Sequence, residues 1–582
     1  MFIDIVPNRS SPPAILLRES FRENGKTKKR TIANLTGHVS IEEANKIKQV
    51  LKGSEVAVDS LEDSLEISST RPHGHVAAVL GTMKALKLPA ILGKFDCPER
   101  RHALALIAGR IISPGSKLAL SRELSGGAST LGEELQVADD LTEKELYEAM
   151  PWLLERQGDI EKRLAKKHLH EGVVTLYDLS SSYYEGSTCP LAERGHNRDL
   201  KKGKKQINYG VLTNQAGCPV AIEVYPGNTG DPNTVPDQLK KLRTRFNLKK
   251  VIVAGDRGML TNVQLDLAGA DPELSEYGWI SALKNIQIKT LVNAGDLQPD
   301  LFDECGLAEI TSENKFPGER LVVCRNPRLA AERTRKRNEL LDETEKVLMT
   351  IQKACQRTKN PYHGKDKIAA RVQRDAGKYK VLKHFDLTIE ENSLTFRRKE
   401  DSINDEQSLD GFYVIRSRNV KQEEMSSKAL VETYKMLAEV EKVFRGMKTT
   451  SLHVRPIFHR LEEMVKAHIF VCMLAYYVQW HMEKSLAPIL FRDEELAAQK
   501  EKRDNPVEPT EPSKKVKAKK ATKQTEEQLP AHSFRSLLKN LASIARVTCR
   551  SIVTGDAEFI KYPNLNSIQK KAFELLEIKL CP

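Results

Sequence analysis

Between residues 172 and 284 the chain is a succession of short apolar runs broken by turn residues. VVTLYDL (Val173–Leu179), QINYGVLT (Gln206–Thr213) and PVAIEVYP (Pro219–Pro226) read as strands, the last two joined as a hairpin across Asn214-Gln215-Ala216-Gly217. A loop PGNTGDPNT leads to a helix over Val235–Phe246. KKVIVAG follows as a fourth strand ending at Asp256, then a short helix NVQLDLAG, then a fifth strand over Tyr277–Lys284.

The order β-β-β-α-β-α-β is that of a ribonuclease-H-like fold, a mixed five-stranded sheet with flanking helices in an α/β architecture. Residues 171–289 are expected to be its first part. Ahead of it, residues 1–170 form a β-hairpin and helical region. Two strands flank the turn Glu23-Asn24-Gly25, and two short helices meet at Ser113-Pro114-Gly115, an arrangement that suits a helix-turn-helix and any helical bundle alike. LVVCRNP and DGFYVIRSR bracket a charged helical stretch with an apolar stripe of Leu340, Leu341, Val347, Leu348 and Ile351. This block, residues 290–425, is read as an insertion. Its Arg333, Arg335, Lys336 and Arg337 are expected on a solvated helix face. Residues 426–495 return to the core with a helix from about Ser427 and an apolar helix over Leu461–Lys484. Residues 496–530, poor in apolar side chains, read as a disordered linker, and 531–582 as a tail with one more helix and strand.

Charge changes the picture more than composition does. A net charge of +13 on 582 residues favours a polyanionic partner, and phosphate contacts supply most non-specific affinity for nucleic acid. The longest apolar run, IFVCMLAYYV, is about half of a membrane span. The N-terminus shows no secretory signal and the nine cysteines form no Cys-x-x-Cys pair, so a reducing cytoplasm is the expected compartment.

The candidate chemistry lies in three carboxylates. Asp178 ends the first core strand and Asp256 the fourth, and those two strands are neighbours in such a sheet. The third acid is expected from the helix packed over that edge. Tyr434, Glu441 and Lys448 are seven apart, so each step falls about 20° short of two turns and all three share a face, with Arg445 one turn beyond Glu441. Glu439 is rotated away. Three such acids suit two magnesium or manganese ions, hard cations that prefer carboxylate oxygen, for in-line displacement at phosphorus. Tyr434, Arg445 and Lys448 would then grip DNA phosphates.

The blocks TLYDLSSSYYEG, VIVAGDRGMLT and YKMLAEVEKVFRGMKT, with VRPIFHRLEEMVKAHIFVCMLA, the loop YPGNTGDPNT and the early RESFRENGKTKKRTIANL, together resemble a DDE-class insertion-sequence transposase close to the insertion sequence 1634 group. The resemblance runs over roughly four-fifths of the chain. It implies Asp178, Asp256 and Glu441 as the catalytic, metal-binding triad, Tyr434 and Lys448 as signature residues, and a large insertion before the glutamate helix. It further implies double-stranded DNA as partner, through terminal inverted repeats and target DNA, and a homodimer in the active complex. One position departs: Leu437 stands where the wider clan has arginine, and Arg445 is the expected substitute. Alternatives are a catalytically inactive DNA-binding relic and a structure-selective nuclease on the same fold. His73, His75, His168 and His170 are expected to be loop or surface residues, and Asp231 and Asp410 ordinary turn acids.

Overall fold

The computed structural model describes residues 1–8, 12–23, 25–52, 65–201, 203–272, 274–297, 302, 306–450, 452–503, 505–551 and 558–580. The chain divides into two compact units, one of Met1–Ala149, His481–Phe491 and Lys523–Pro582, the other of Met150–Trp480 and Arg492–Thr522.

In the first unit β1 (Phe2–Val6), β2 (Ala14–Glu23) and β3 (Lys26–Asn34) make an antiparallel sheet. The expected hairpin is present, with Glu23 paired to Lys26, although Asn24 of its turn lies outside the described residues. The helix Ile41–Leu51 closes a small core of Ile3, Ile15, Val39 and Ala44, and starts on a capping box between Ser40 and Glu43. The two expected short helices are Pro98–Ile112 and Lys117–Ser125, bent 102° from one another. Gly109 permits their approach, since a Cβ there would stand 2.5 Å from a Leu120 methyl. His102 through Ile111 are all buried, so the first of these helices is a core element. A third sheet runs β16-β15-β4, from β4 (Leu65–Pro72), β15 (Ala545–Ser551) and β16 (Glu558–Lys561). The tail therefore completes a sheet begun some 470 residues earlier, with Ala545 opposite Pro72 and Thr548 opposite Ser69. His73 and His75 differ from expectation. Both are buried, His73 with its Nδ1 2.8 Å from the Thr130 hydroxyl, and burial draws both imidazoles down to about 4.

The second unit is built on an eight-stranded mixed sheet in the order β10-β11-β14-β9-β8-β5-β6-β7. The five expected strands are β5 (Val174–Tyr183), β6 (Gln206–Asn214), β7 (Pro219–Pro226), β8 (Ile252–Ala254) and β9 (Gly278–Ala282), contiguous in that sheet. β5, β6 and β7 pair antiparallel, while β8 runs parallel to both β5 and β9. The sheet does not stop at five strands. β9 would leave a row of unpaired backbone groups at its edge, and β14 (Phe412–Arg418) takes that edge, followed by β11 (Arg320–Arg325) and β10 (Leu307–Ile310). The insertion thus shares the sheet. Its remainder has a core of its own, in which Leu341, Leu348 and Ile351 of the long helix Pro327–Cys355 pack with Ile368, Val372 and the hairpin of β12 (Phe385–Ile389) and β13 (Leu394–Arg398).

Two further expectations are corrected. The single helix from Ser427 is two, Ser427–Lys435 and Leu437–Arg445, broken at Met436 and followed by a wider π-helical turn over Gly446–Thr450. Residues 496–530, read as a disordered linker, carry the helices Leu496–Lys502 and Lys514–Thr522. Val507 and Val516 are buried, and Lys519 is bound to Glu494 at 2.5 Å, so paired charge and two anchors outweigh the polar composition. Among the described residues no single helix is long and apolar enough to cross a membrane.

Candidate active site

β5 and β8 run parallel with Val174 opposite Ile252 and Leu176 opposite Ala254. Continuing that register by two residues sets Asp178 beside Asp256, just past the carboxyl end of β8, the edge at which open α/β sheets present their sites. The helix Leu437–Arg445 packs against β5 and brings Glu441 to the same edge. Val440, Val443 and Phe444 are buried beneath it, which leaves Glu441 on the open side. All three acids line one cavity of about 780 Å3. Tyr434 and Lys448 line it too, although the break at Met436 and the wide turn at Gly446 mean that no straight helix carries them. Glu439 faces elsewhere, as expected, and binds Lys442 at 2.8 Å.

The acids differ in environment. Asp256 and Glu441 are exposed, while Asp178 is half-buried. Burial pushes the Asp178 carboxyl up to about 7, helped by the negative charge of Asp256 and Asp231; the Leu179 N–H, 2.8 Å from its Oδ1, and the Arg198 guanidinium oppose the rise. The Tyr434 hydroxyl donates to Asp256 Oδ1 at 3.5 Å, and burial raises that phenol well above its ordinary value.

Lys448 reaches the cavity along a buried path, its ammonium 3.3 Å from the Asp199 carboxylate. Burial lowers its pKa and Asp199 counters the fall. Asp199 is itself buried, with its side chain only 2% exposed; it also pairs with Arg455 and accepts from the Tyr183 N–H at 3.0 Å.

Arg445 does not join this group. It is exposed on the helix and does not line the cavity, because four residues beyond Glu441 is about 40° further round the helix. Leu437 lines the cavity as a leucine, and the arginine there is Arg198, from the loop between β5 and β6. Its guanidinium is forked onto Asp231 at 2.7 and 2.6 Å, so Asp231 holds a cation in the site and is more than a turn residue. Reading the sequence missed Arg198, Asp199 and Asp231. Signals for them existed: GHNRDLKKGKK is a polar loop directly after the Asp178 strand, and PGNTGDPNT is one of the blocks that carried the resemblance.

The donor set fits hard divalent cations. It is all carboxylate oxygen, and crowding of acids against a half-buried Asp178 leaves negative charge that a cation would neutralise.

Residues 3–62 match the model of the IS1634 family transposase, N-terminal domain, and residues 173–478, more than half of the chain, match the model of the Transposase DDE domain. No curated protein matches. A solved structure described as the cryo-EM structure of piggyBac transposase synaptic complex with hairpin DNA shows a coarse similarity, at 8% identity and a TM-score of 0.35, covering 81% of this chain and 76% of that one. The acid-lined cavity falls wholly within residues 173–478, and the chain belongs to the DDE transposases, with the N-terminal domain of the IS1634 family.

Proposed function

We propose that this protein binds the terminal inverted repeats of an insertion sequence and catalyses divalent-metal-dependent strand cleavage and strand transfer on double-stranded DNA. The observation that carries the reading is the meeting of Asp178, which lies within β5 rather than at its end as expected, Asp256, just past the end of the parallel β8, and Glu441, from one helix, in a single cavity inside the DDE domain. The strand order β7-β6-β5-β8-β9, antiparallel through the first three and parallel through the last two, supports a ribonuclease-H-like core for that domain.

Asp178, Asp256 and Glu441 would hold two magnesium or manganese ions. Such a pair supplies an activated water or 3′-hydroxyl and stabilises the leaving 3′-oxygen of an in-line displacement. The chain's own groups do the rest. Tyr434 orients the Asp256 carboxylate through its hydroxyl. Lys448, braced by Asp199, and Arg198, braced by Asp231, present two cations to the non-bridging oxygens of the phosphate. Arg198 takes the place that Leu437 leaves empty of charge. Two element ends must be joined in one event, which favours a homodimer in the active complex, and the place of action is the cytoplasm, beside the nucleoid.

In the deciding experiment, Asp256→Asn and Glu441→Gln are expected to abolish metal-dependent cleavage of end-labelled DNA and its joining to a target, with DNA binding retained. Normal cutting and joining by either variant would overturn the assignment. Cutting without joined product by the parent protein would indicate a nuclease, and neither activity a relic. Arg198→Ala is expected to slow single-turnover cleavage by about 100-fold, the usual cost of one positioned charge-stabilising donor. A rate within threefold or so of the parent would remove Arg198 from the site.

A further inference from the structure

Four basic residues crowd the first turns of the long insertion helix, and the structure separates them. Arg335 is exposed and bound to Glu339 at 2.6 Å, and Arg337 is buried against Asp410. Arg333 and Lys336 instead line a groove of about 780 Å3 between that helix, the helix Asn285–Asn293 and the helix Glu400–Gln407. The acids of this groove are mostly neutralised. Lys289 binds Asp405, Lys383 binds Glu406 and Arg337 binds Asp410. Arg257, Arg333 and Lys336 have no ion-pair partner among the described residues.

The groove adjoins the acid cavity through a third, smaller cavity between them. This cavity of about 290 Å3 shares Asp256, Tyr413 and Tyr434 with the acid site, and shares Arg257, Asn285 and Arg333 with the groove. Phe412 lines this connection as well. Spare cations therefore run outward from the acids in the sequence Arg257, Arg333, Lys336, with aromatic side chains at the inner end. Cations that track a backbone beside aromatic faces that stack bases are the means by which proteins hold single-stranded nucleic acid.

We propose that this track binds a single strand of DNA leading away from the phosphate cut at the acid cavity, through phosphate contacts to Arg257, Arg333 and Lys336. The proposal rests on the catalytic reading above for its polarity, but its test does not depend on cutting.

Full-length protein without metal is titrated with a labelled single-stranded oligothymidylate across a range of salt. Each phosphate contact on a single strand contributes about 0.7 to the slope of log affinity against log salt. Arg333→Ala/Lys336→Ala is expected to lower the slope by about 1.4 and to weaken binding by about tenfold or more at low salt. Arg335→Ala is expected to match the parent, because its charge is already paired on the far side. A double variant with parental slope and affinity overturns the track; an Arg335→Ala variant that loses as much shows general electrostatics and overturns it too. If the alanine pair melts below the parent, Arg333→Gln/Lys336→Gln, which keeps the side-chain stems, is measured in its place. Failure of the catalytic reading would appear separately, as an unchanged cutting rate in Glu441→Gln with the slope difference intact.

Discussion

In metal-free protein, Asp178→Asn is expected to raise the melting temperature at about pH 8 and to leave it close to the parent's at about pH 4, while strand cleavage is lost. The folded chain holds the Asp178 proton up to about pH 7, against an ordinary value of 3.8. Its folded pKa is raised, so the stability tied to that proton is complete below the ordinary value and drains away as pH rises through about 7. Each unit of difference is about 1.4 kcal/mol, so the charged carboxylate costs the fold at most about 4.5 kcal/mol at alkaline pH. Asparagine keeps an acceptor for the Leu179 N–H and removes the charge that burial and the neighbouring Asp256 and Asp231 oppose. Magnesium should reverse the ranking, because only the parent gains by binding it. The same substitution removes a ligand, and cleavage should fall by at least about 1000-fold with the several kcal/mol of charge stabilisation that a bound ion supplies. Melting curves in chelator and in magnesium at both pH values, with a cleavage assay beside them, decide it. An asparagine variant that melts with the parent at alkaline pH, or that still cuts, would sink the account of Asp178.

The second large effect is expected at Asp199, a residue that touches no acid of the triad. Asp199→Ala leaves Lys448, whose side chain is 10% exposed, and Arg455 facing a buried space without their shared carboxylate, and strips the acceptor from the Tyr183 N–H. Removing one partner of a buried ion pair costs about 3–5 kcal/mol, visible as a lower denaturant midpoint. A second consequence separates this from simple unfolding. Burial already lowers the Lys448 pKa and Asp199 holds it up, so without Asp199 the ammonium loses its proton at lower pH than in the parent. The alkaline limb of the cleavage rate should therefore shift to lower pH in Asp199→Ala and return in part with Asp199→Glu. A variant as stable as the parent, with an unmoved alkaline limb, would show that Asp199 does not brace Lys448.

The parts of the site legible in the sequence are those that depend on repeating local geometry. Asp178 and Asp256 follow apolar runs that could only be strands, and the order of those runs made the two strands neighbours, as the pairing of Leu176 with Ala254 bears out. Tyr434, Glu441 and Lys448 reach one cavity as their spacing suggested, yet the helix that was to carry them breaks at Met436 and widens at Gly446. Arg445 shows where that reasoning fails: one turn along a helix is near in sequence but points past the cavity. Arg198 and Asp231 were out of reach for a different reason. They sit 33 residues apart, Arg198 in a loop and Asp231 at the start of the short 3-10 helix Asp231–Thr234, and the path of such connections depends on the elements they join, so their 2.6 Å contact has no periodic trace.

Hydrophobic periodicity and turn chemistry thus settle which segments become strands and helices, because backbone sterics and burial of one face act within a few residues. They settle little about which edges meet. That β14 of the insertion pairs with β9 and widens five strands to eight, and that β15 of the tail pairs with β4, follow from unpaired backbone groups finding distant partners, a choice made by the packed chain as a whole. The same holds for charge. Arg333, Arg335, Lys336 and Arg337 are one basic run in the sequence, and only packing makes one a buried strut, one a surface pair and two the spare cations of a groove that adjoins the acid cavity.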